Sequence, residues 1–109
     1  MAADTVSFKE DVTIIGMRDE AEVTAKSDTG AKRTSIDMEI AGAVGAGPIT
    51  GTRTFRSSTG KSVRPLVEIE VRVLDETRAV TASVADRSSM STAVLLGRDV
   101  LSGMKVQLE

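Results

Sequence analysis

The sequence predicts an all-β domain of short strands. The clearest segment is residues 63–73, where Val67, Ile69 and Val71 alternate with acidic residues. A period of two is typical of a strand with one buried face and one wet face. Runs rich in β-branched residues recur along the chain between glycine-containing and polar turns, and no long helical pattern is found. We therefore expect about seven to nine strands with little helix, in a single domain over residues 1–109.

The first half of the chain contains three predicted strands and a flexible segment. Residues 11–16 are rich in β-branched residues and end in glycine, and residues 21–27 alternate loosely between apolar and polar side chains. Residues 34–38 are expected to form a short strand that turns Ile36 inward. Residues 39–47 are mostly small, with room for one helical turn before the glycines end it.

The second half begins with the two longest strand candidates, residues 49–55 and 63–73. The polar, glycine-containing segment 56–62 between them indicates a β-hairpin. The remaining elements are shorter: a strand at 79–84, a strand at 94–96, a helical turn at 98–101 that ends at Gly103, and a last strand at 105–108.

The composition excludes several classes of function. The chain has no cysteine and no histidine, which excludes disulfides, thiol catalysis and the Ser-His-Asp mechanism, and makes a zinc site unusual. The net charge is −2, with 14 basic and 16 acidic residues, so no nucleic-acid partner is predicted. There is no apolar run of ~18 residues and no basic region followed by an apolar stretch near the N-terminus. We therefore expect a cytoplasmic protein without a membrane partner.

A carboxylate on a tight turn is the most distinctive local feature. Asp28 follows the predicted strand 21–27 and precedes Thr29, Gly30 and Ala31. Gly30 permits backbone conformations that other residues avoid, and the Thr29 hydroxyl can hydrogen-bond locally. These are also ordinary turn residues, so the tetrapeptide alone does not indicate catalysis.

A second stretch, near residue 97, makes the D-T-G-A motif more informative. The apolar run 94–96 ends in Gly97 and is followed by Arg98 and a short amphipathic piece. D-T-G-A near residue 28 and L-L-G-R-D-V-L near residue 97 together resemble the retropepsin-like aspartic protease family. More closely, the chain resembles the small bacterial and archaeal branch known as ATP-dependent zinc proteases, with further matching residues at 33–35, 56–58, 60–61, 85–88 and 90.

This resemblance implies a retropepsin-like barrel with one short C-terminal helical turn, and a role for each motif. Asp28 would be catalytic, within an active-site turn formed with Thr29, Gly30 and Ala31. The hairpin would be a flap over the substrate, with its tip at Ser58, Thr59, Gly60 and Lys61. The segment beneath the active-site turn would be a structural support made of Leu95, Leu96, Gly97 and Arg98.

The aspartic protease mechanism then requires two copies of the chain. Two nearby aspartates can share one proton, so that one activates a water molecule and the other donates to the peptide carbonyl oxygen. The chain has a single D-T-G, so we expect a homodimer that places Asp28 of each copy at a twofold axis. The predicted function is an aspartic endopeptidase that acts on peptides or proteins without a cofactor or metal.

Two other functions remain open. One is a non-catalytic or narrowly specific peptide-binding module on the same fold, since a fold does not fix a function. The other is a metal binder that uses carboxylates alone, in which Asp86 would act with Asp99 or Asp28.

Some positions depart from the family pattern: Ser27, Lys32 and Ser89. Lys32 stands where retropepsins carry an aspartate that pairs with the arginine at the position of Arg98. Arg98 is therefore expected to pair with a different acid, and the candidates are Asp37, Asp86 and Asp99.

Overall fold

The strands close around one apolar core. The structure is a computed structural model that describes residues 5–108, so the N-terminal segment in which no signal peptide is expected lies outside the described residues. The strands are β1 (Thr5–Ser7), β2 (Lys9–Ile15), β3 (Glu20–Ser27), β4 (Ser35–Asp37), β5 (Ile49–Ser57), β6 (Gly60–Val73), β7 (Glu76–Ala85), β8 (Val94–Leu96) and β9 (Lys105–Gln107). The helices are α1 (Met38–Val44) and α2 (Arg98–Leu101).

Six of the strands form a closed barrel. Their order is β2-β3-β8-β4-β7-β6, and β6 pairs back onto β2 with Val71 opposite Ile14. The first half of β6 carries β5 as an edge strand, and a separate parallel pair joins β1 to β9. This arrangement confirms the all-β barrel predicted from the sequence.

The core consists of aliphatic side chains, as the scarcity of aromatic residues requires. In β6, Val67, Ile69, Val71 and Val73 are buried, whereas the residues between them are exposed. Ile36 on β4 is completely buried, as expected. The alternation of apolar and polar residues that predicted β6 therefore also identified which face of this strand lies in the barrel core.

Two elements differ from the prediction. Helix α1 spans Met38–Val44, longer than the single turn expected, because the Asp37 side chain accepts from the Glu39 N–H at its start and Gly45 ends it in the left-handed conformation. Strand β1 was not predicted. Its three residues carry almost no pattern, and only Val6 is buried, so its pairing with β9 defines it.

No helix within residues 5–108 combines the length and the apolar character needed to cross a bilayer.

Candidate active site

Asp28 lies at the end of β3, on a turn that fixes its carboxylate. Its own N–H donates to the Leu96 carbonyl on β8 at 2.9 Å. The Gly30 N–H donates to Asp28 Oδ1 at 2.9 Å, and the Ala31 N–H donates to the Asp28 carbonyl at 3.2 Å. The residue is half-buried, whereas Thr29 and Gly30 are exposed. The turn therefore orients a carboxylate that remains accessible to water.

The segment after β8 packs directly against this turn. β8 runs parallel to β3, with Leu96 beside Ser27, and antiparallel to β4. A Cβ atom at Gly97 would lie 2.6 Å from the Arg33 carbonyl carbon, and the Arg98 N–H donates to the Ala31 carbonyl at 2.8 Å. Only a residue without a side chain fits at position 97 without moving the backbone that follows Asp28.

A buried hydrogen-bond network ties the two segments together. Thr34 is completely buried, and its hydroxyl donates to Asp99 Oδ1 at 2.7 Å while accepting from the Gly97 N–H at 3.2 Å. Asp99 Oδ2 accepts from the Thr34 N–H at 3.0 Å, and Oδ1 also accepts from the Val100 N–H at 2.9 Å. The sequence analysis did not identify Thr34 or this use of Asp99.

Replacing Thr34 by valine is expected to lower the free energy of unfolding by about 2–3 kcal/mol. The change keeps the side-chain shape but leaves the buried Gly97 N–H without its acceptor and removes one of the two hydrogen bonds to Asp99 Oδ1. Urea denaturation measures the loss. Thr54→Val on the exposed face of β5 is the control and should unfold like the parent.

Arg98 does not pair with an acid. Its guanidinium donates to the Thr29 carbonyl at 3.4 Å, and it takes part in none of the ion pairs of residues 5–108. The three candidate partners are engaged elsewhere: Asp99 with Thr34, Asp37 with the backbone N–H groups of Glu39 and Arg87, and Asp86 with Ser88. The expected ion pair was therefore wrong, and the Arg98 side chain contacts the backbone of the Asp28 turn instead.

The positions that depart from the family pattern have different surroundings. Ser27 is buried, and its hydroxyl donates to the Ser7 carbonyl at 2.9 Å, which fastens β1 to β3. Ser89 is exposed in the loop after β7. In the same loop, the Ser88 hydroxyl and N–H lower the pKa of Asp86.

The predicted flap residues lie at the tip of the β5–β6 hairpin. Ser58 and Thr59 form its two-residue turn, Gly60 has a φ of 136°, and Lys61 pairs with Arg56. All of these residues are exposed. In the described residues no hydrogen bond joins this tip to the Asp28 turn.

A cavity of about 260 Å³ lies between the hairpin and the segment that follows Asp28. Ala31 and Leu95 line it on the barrel side, and Phe55 lines it on the hairpin side. Its charged lining residues are all cations: Lys32, Arg33, Arg53, Arg64 and Arg87. The sequence analysis missed this group because it considered the net charge of the whole chain. The sequence did contain a signal of local positive charge, since residues 40–67 contain four cations and no acid.

Arg87 is the most deeply buried of these cations. It is only 8% exposed, and its Nε donates to the Thr92 carbonyl at 3.1 Å. Burial lowers the pKa of Arg87 from its usual value, the charge of Arg64 lowers it further, and Asp37 acts in the opposite direction. The cavity lining therefore carries five cations and no acidic side chain.

The residues present do not fit a zinc ion. The chain offers no histidine or cysteine, and residues 5–108 contain no group of three or more acidic side chains placed to hold a metal.

Comparison with known families places the chain among aspartic proteases. The family model described as aspartyl protease matches residues 11–100, which includes the Asp28 turn, the hairpin and β8. The chain therefore belongs to the aspartyl protease family. No curated protein matches it significantly.

Solved structures share the fold at low sequence identity. The EIAV protease complexed with the inhibitor HBY-793 is 18% identical, with a TM-score of 0.70 over 92% of this chain and 91% of that chain. The simian foamy virus (mac) protease is 13% identical, with a TM-score of 0.61 over 83% and 87%. The protein Lpg0085 of unknown function (DUF785) from Legionella pneumophila subsp. pneumophila str. Philadelphia 1 is 20% identical, with a TM-score of 0.61 over 96% and 92%.

Proposed function

We propose that this protein is an aspartic endopeptidase that acts as a homodimer with one Asp28 from each subunit. The observation that carries the proposal is the geometry of Asp28. A backbone N–H orients its carboxylate, β8 supports it from below, and it stays half-exposed beside a cavity under a hairpin. Membership of the aspartyl protease family supports the same assignment.

The reaction follows from two carboxylates that share one proton. The ionised Asp28 takes a proton from a water molecule, whose oxygen attacks the carbon of the peptide bond. The protonated Asp28 of the partner copy donates to the carbonyl oxygen as it becomes tetrahedral. As this intermediate collapses, the Asp28 that took the water proton gives it to the leaving nitrogen and the C–N bond breaks. The Asp28 of the partner copy recovers its proton from a hydroxyl of the intermediate. One chain supplies only one such aspartate on a D-T-G turn, so the mechanism needs the second copy.

The β5–β6 hairpin is the proposed flap. Within residues 5–108, β5 is an edge strand that pairs only with β6, so its other edge can bond to an extended peptide by strand addition. Ser58, Thr59, Gly60 and Lys61 would then close over the peptide from the hairpin tip.

Digestion of a diverse peptide mixture between about pH 4 and pH 8 tests this function. New cleavage products, identified by mass spectrometry, would support the endopeptidase. A folded dimer that binds peptides from the mixture without cleaving any would favour the peptide-binding module instead.

Chelation is expected to leave the activity unchanged. The proposed reaction draws its acid and base from carboxylates, and the chain lacks the usual zinc ligands. The cleavage rate should therefore be the same with and without EDTA. A loss of activity that added zinc restores would instead support the zinc protease branch that the sequence resembles.

A further inference from the structure

We propose that the cavity between the β5–β6 hairpin and the active-site turn is a carboxylate-binding subsite, which takes an aspartate or glutamate side chain of the bound peptide. The peptide substrate rests on the function proposed above. The anion site itself rests on the lining of the cavity.

The first observation is an unbalanced charge. The five cations that line the cavity come from separate parts of the chain: Lys32 and Arg33 from the segment between the active-site turn and β4, Arg53 and Arg64 from the hairpin, and Arg87 from the loop after β7. The ion pairs of residues 5–108 involve none of them. Like charges gathered around a partly desolvated space repel one another, and a bound anion would relieve that repulsion.

The second observation is a set of buried polar groups without partners. Ser35 is 8% exposed, lines the cavity, and its hydroxyl has no hydrogen-bond partner. Arg33 Nε is also buried without a partner, although its Nη1 donates to the Thr81 carbonyl at 3.1 Å. Buried polar groups are usually paired, and both of these residues line the cavity, so a carboxylate bound there would lie near two polar groups whose hydrogen-bonding capacity is unused.

A carboxylate matches these donors. Its two oxygens accept several hydrogen bonds at once, and guanidinium groups bind it in a planar, two-pronged geometry. The hairpin arginines are already held in place, because Arg64 and Arg53 lie 4.2 Å and 5.6 Å from the centre of the Phe55 ring. Since Ala31 belongs to both the active-site turn and the cavity wall, a peptide at Asp28 can place a side chain there.

The position of the cations also couples binding to the hairpin. Arg53 and Arg64 line the cavity from the hairpin, whereas Lys32, Arg33 and Arg87, which also line it, belong to other segments. A carboxylate between them attracts both sides at once, so an acidic residue holds the hairpin against the barrel. A neutral residue leaves the two sides repelling each other.

Binding to the Asp28→Asn protein tests the subsite without requiring cleavage. The probes are octapeptides in which one glutamate occupies each position in turn, each matched by the same peptide with glutamine. We expect at least one glutamate peptide to bind about tenfold or more tightly than its glutamine match at low ionic strength, with the difference shrinking as salt is added.

Two arginines of the same hairpin provide the matched comparison. Arg64→Gln should remove most of the glutamate preference. Arg56→Gln makes the same change of charge on the opposite face of the hairpin and should keep the preference. Ser35→Ala, which leaves the charge unchanged, should reduce it as well.

Equal affinities for every glutamate and glutamine pair would overturn the subsite, and so would an absence of binding. A preference that survives Arg64→Gln but is lost in Arg56→Gln would also overturn it. Failure of the subsite can be told apart from failure of the proposed function, because the first is measured by binding and the second by cleavage. A parent protein that cleaves no peptide can still show the Arg64-dependent preference for glutamate.

Discussion

Replacing Asp28 by asparagine is expected to lower the cleavage rate by about 10³-fold or more while the fold and the dimer persist. Asparagine keeps the shape of the side chain and can accept from the Gly30 N–H, so the turn should survive. It cannot take a proton from water or share one with its partner, and loss of general acid–base catalysis costs about 10²–10⁴-fold. Cleavage of a defined peptide, thermal melting and sedimentation measure the three properties.

Asp75→Asn is the matched control for this experiment. Asp75 is exposed in the turn between β6 and β7, so the same chemical change there should leave cleavage unaltered. Unchanged activity in Asp28→Asn would exclude the aspartic mechanism. Activity lost in both variants would point to an effect of net charge rather than of Asp28.

Replacing Gly97 by valine is expected to destabilise the protein by about 3 kcal/mol or more. A Cβ atom there would lie 2.6–2.9 Å from the carbonyl carbon, oxygen and nitrogen of Arg33, which are backbone atoms and cannot rotate away. Overpacking against a fixed backbone typically costs about 1–3 kcal/mol even for small additions. Urea unfolding measures the effect.

Gly42→Ala tests whether the effect belongs to this position. A Cβ at Gly42 would meet no atom within 4 Å, and the residue lies inside helix α1. Alanine there should raise the free energy of unfolding by about 0.5–1 kcal/mol, because it favours the helix more than glycine does. A Gly97→Val protein as stable as the parent would contradict the packing described beneath Asp28.

The fold could be predicted because its main signals are local. The alternation of β6 and the glycine that ends β8 each follow from short segments of sequence. Helix α1 was underestimated because Gly42 weakens the helical pattern, while the Asp37 cap and the packing of Val44 stabilise it. The pairing of β1 with β9 depends on contacts between the two ends of the chain, which no local pattern carries.

Only those parts of the candidate site that depend on local sequence could be predicted. Asp28 and Gly97 lie in recognisable short motifs, whereas the partner of Arg98 depends on side-chain geometry across the fold. The acids considered for it are engaged by nearby backbone and hydroxyl groups instead. The cations that line the cavity come from three distant segments of the chain, so no single stretch of sequence indicates that they lie together.

The most direct test of the shared active site is to mix subunits. A fixed amount of the parent protein is equilibrated with increasing Asp28→Asn protein, and cleavage of one peptide is followed. If both aspartates of a homodimer are required, mixed dimers are inactive, and an equal amount of the variant should reduce the activity of the parent to about half. Activity that stays constant in a large excess of the variant, with subunit exchange shown independently, would contradict an active site formed by two copies of Asp28.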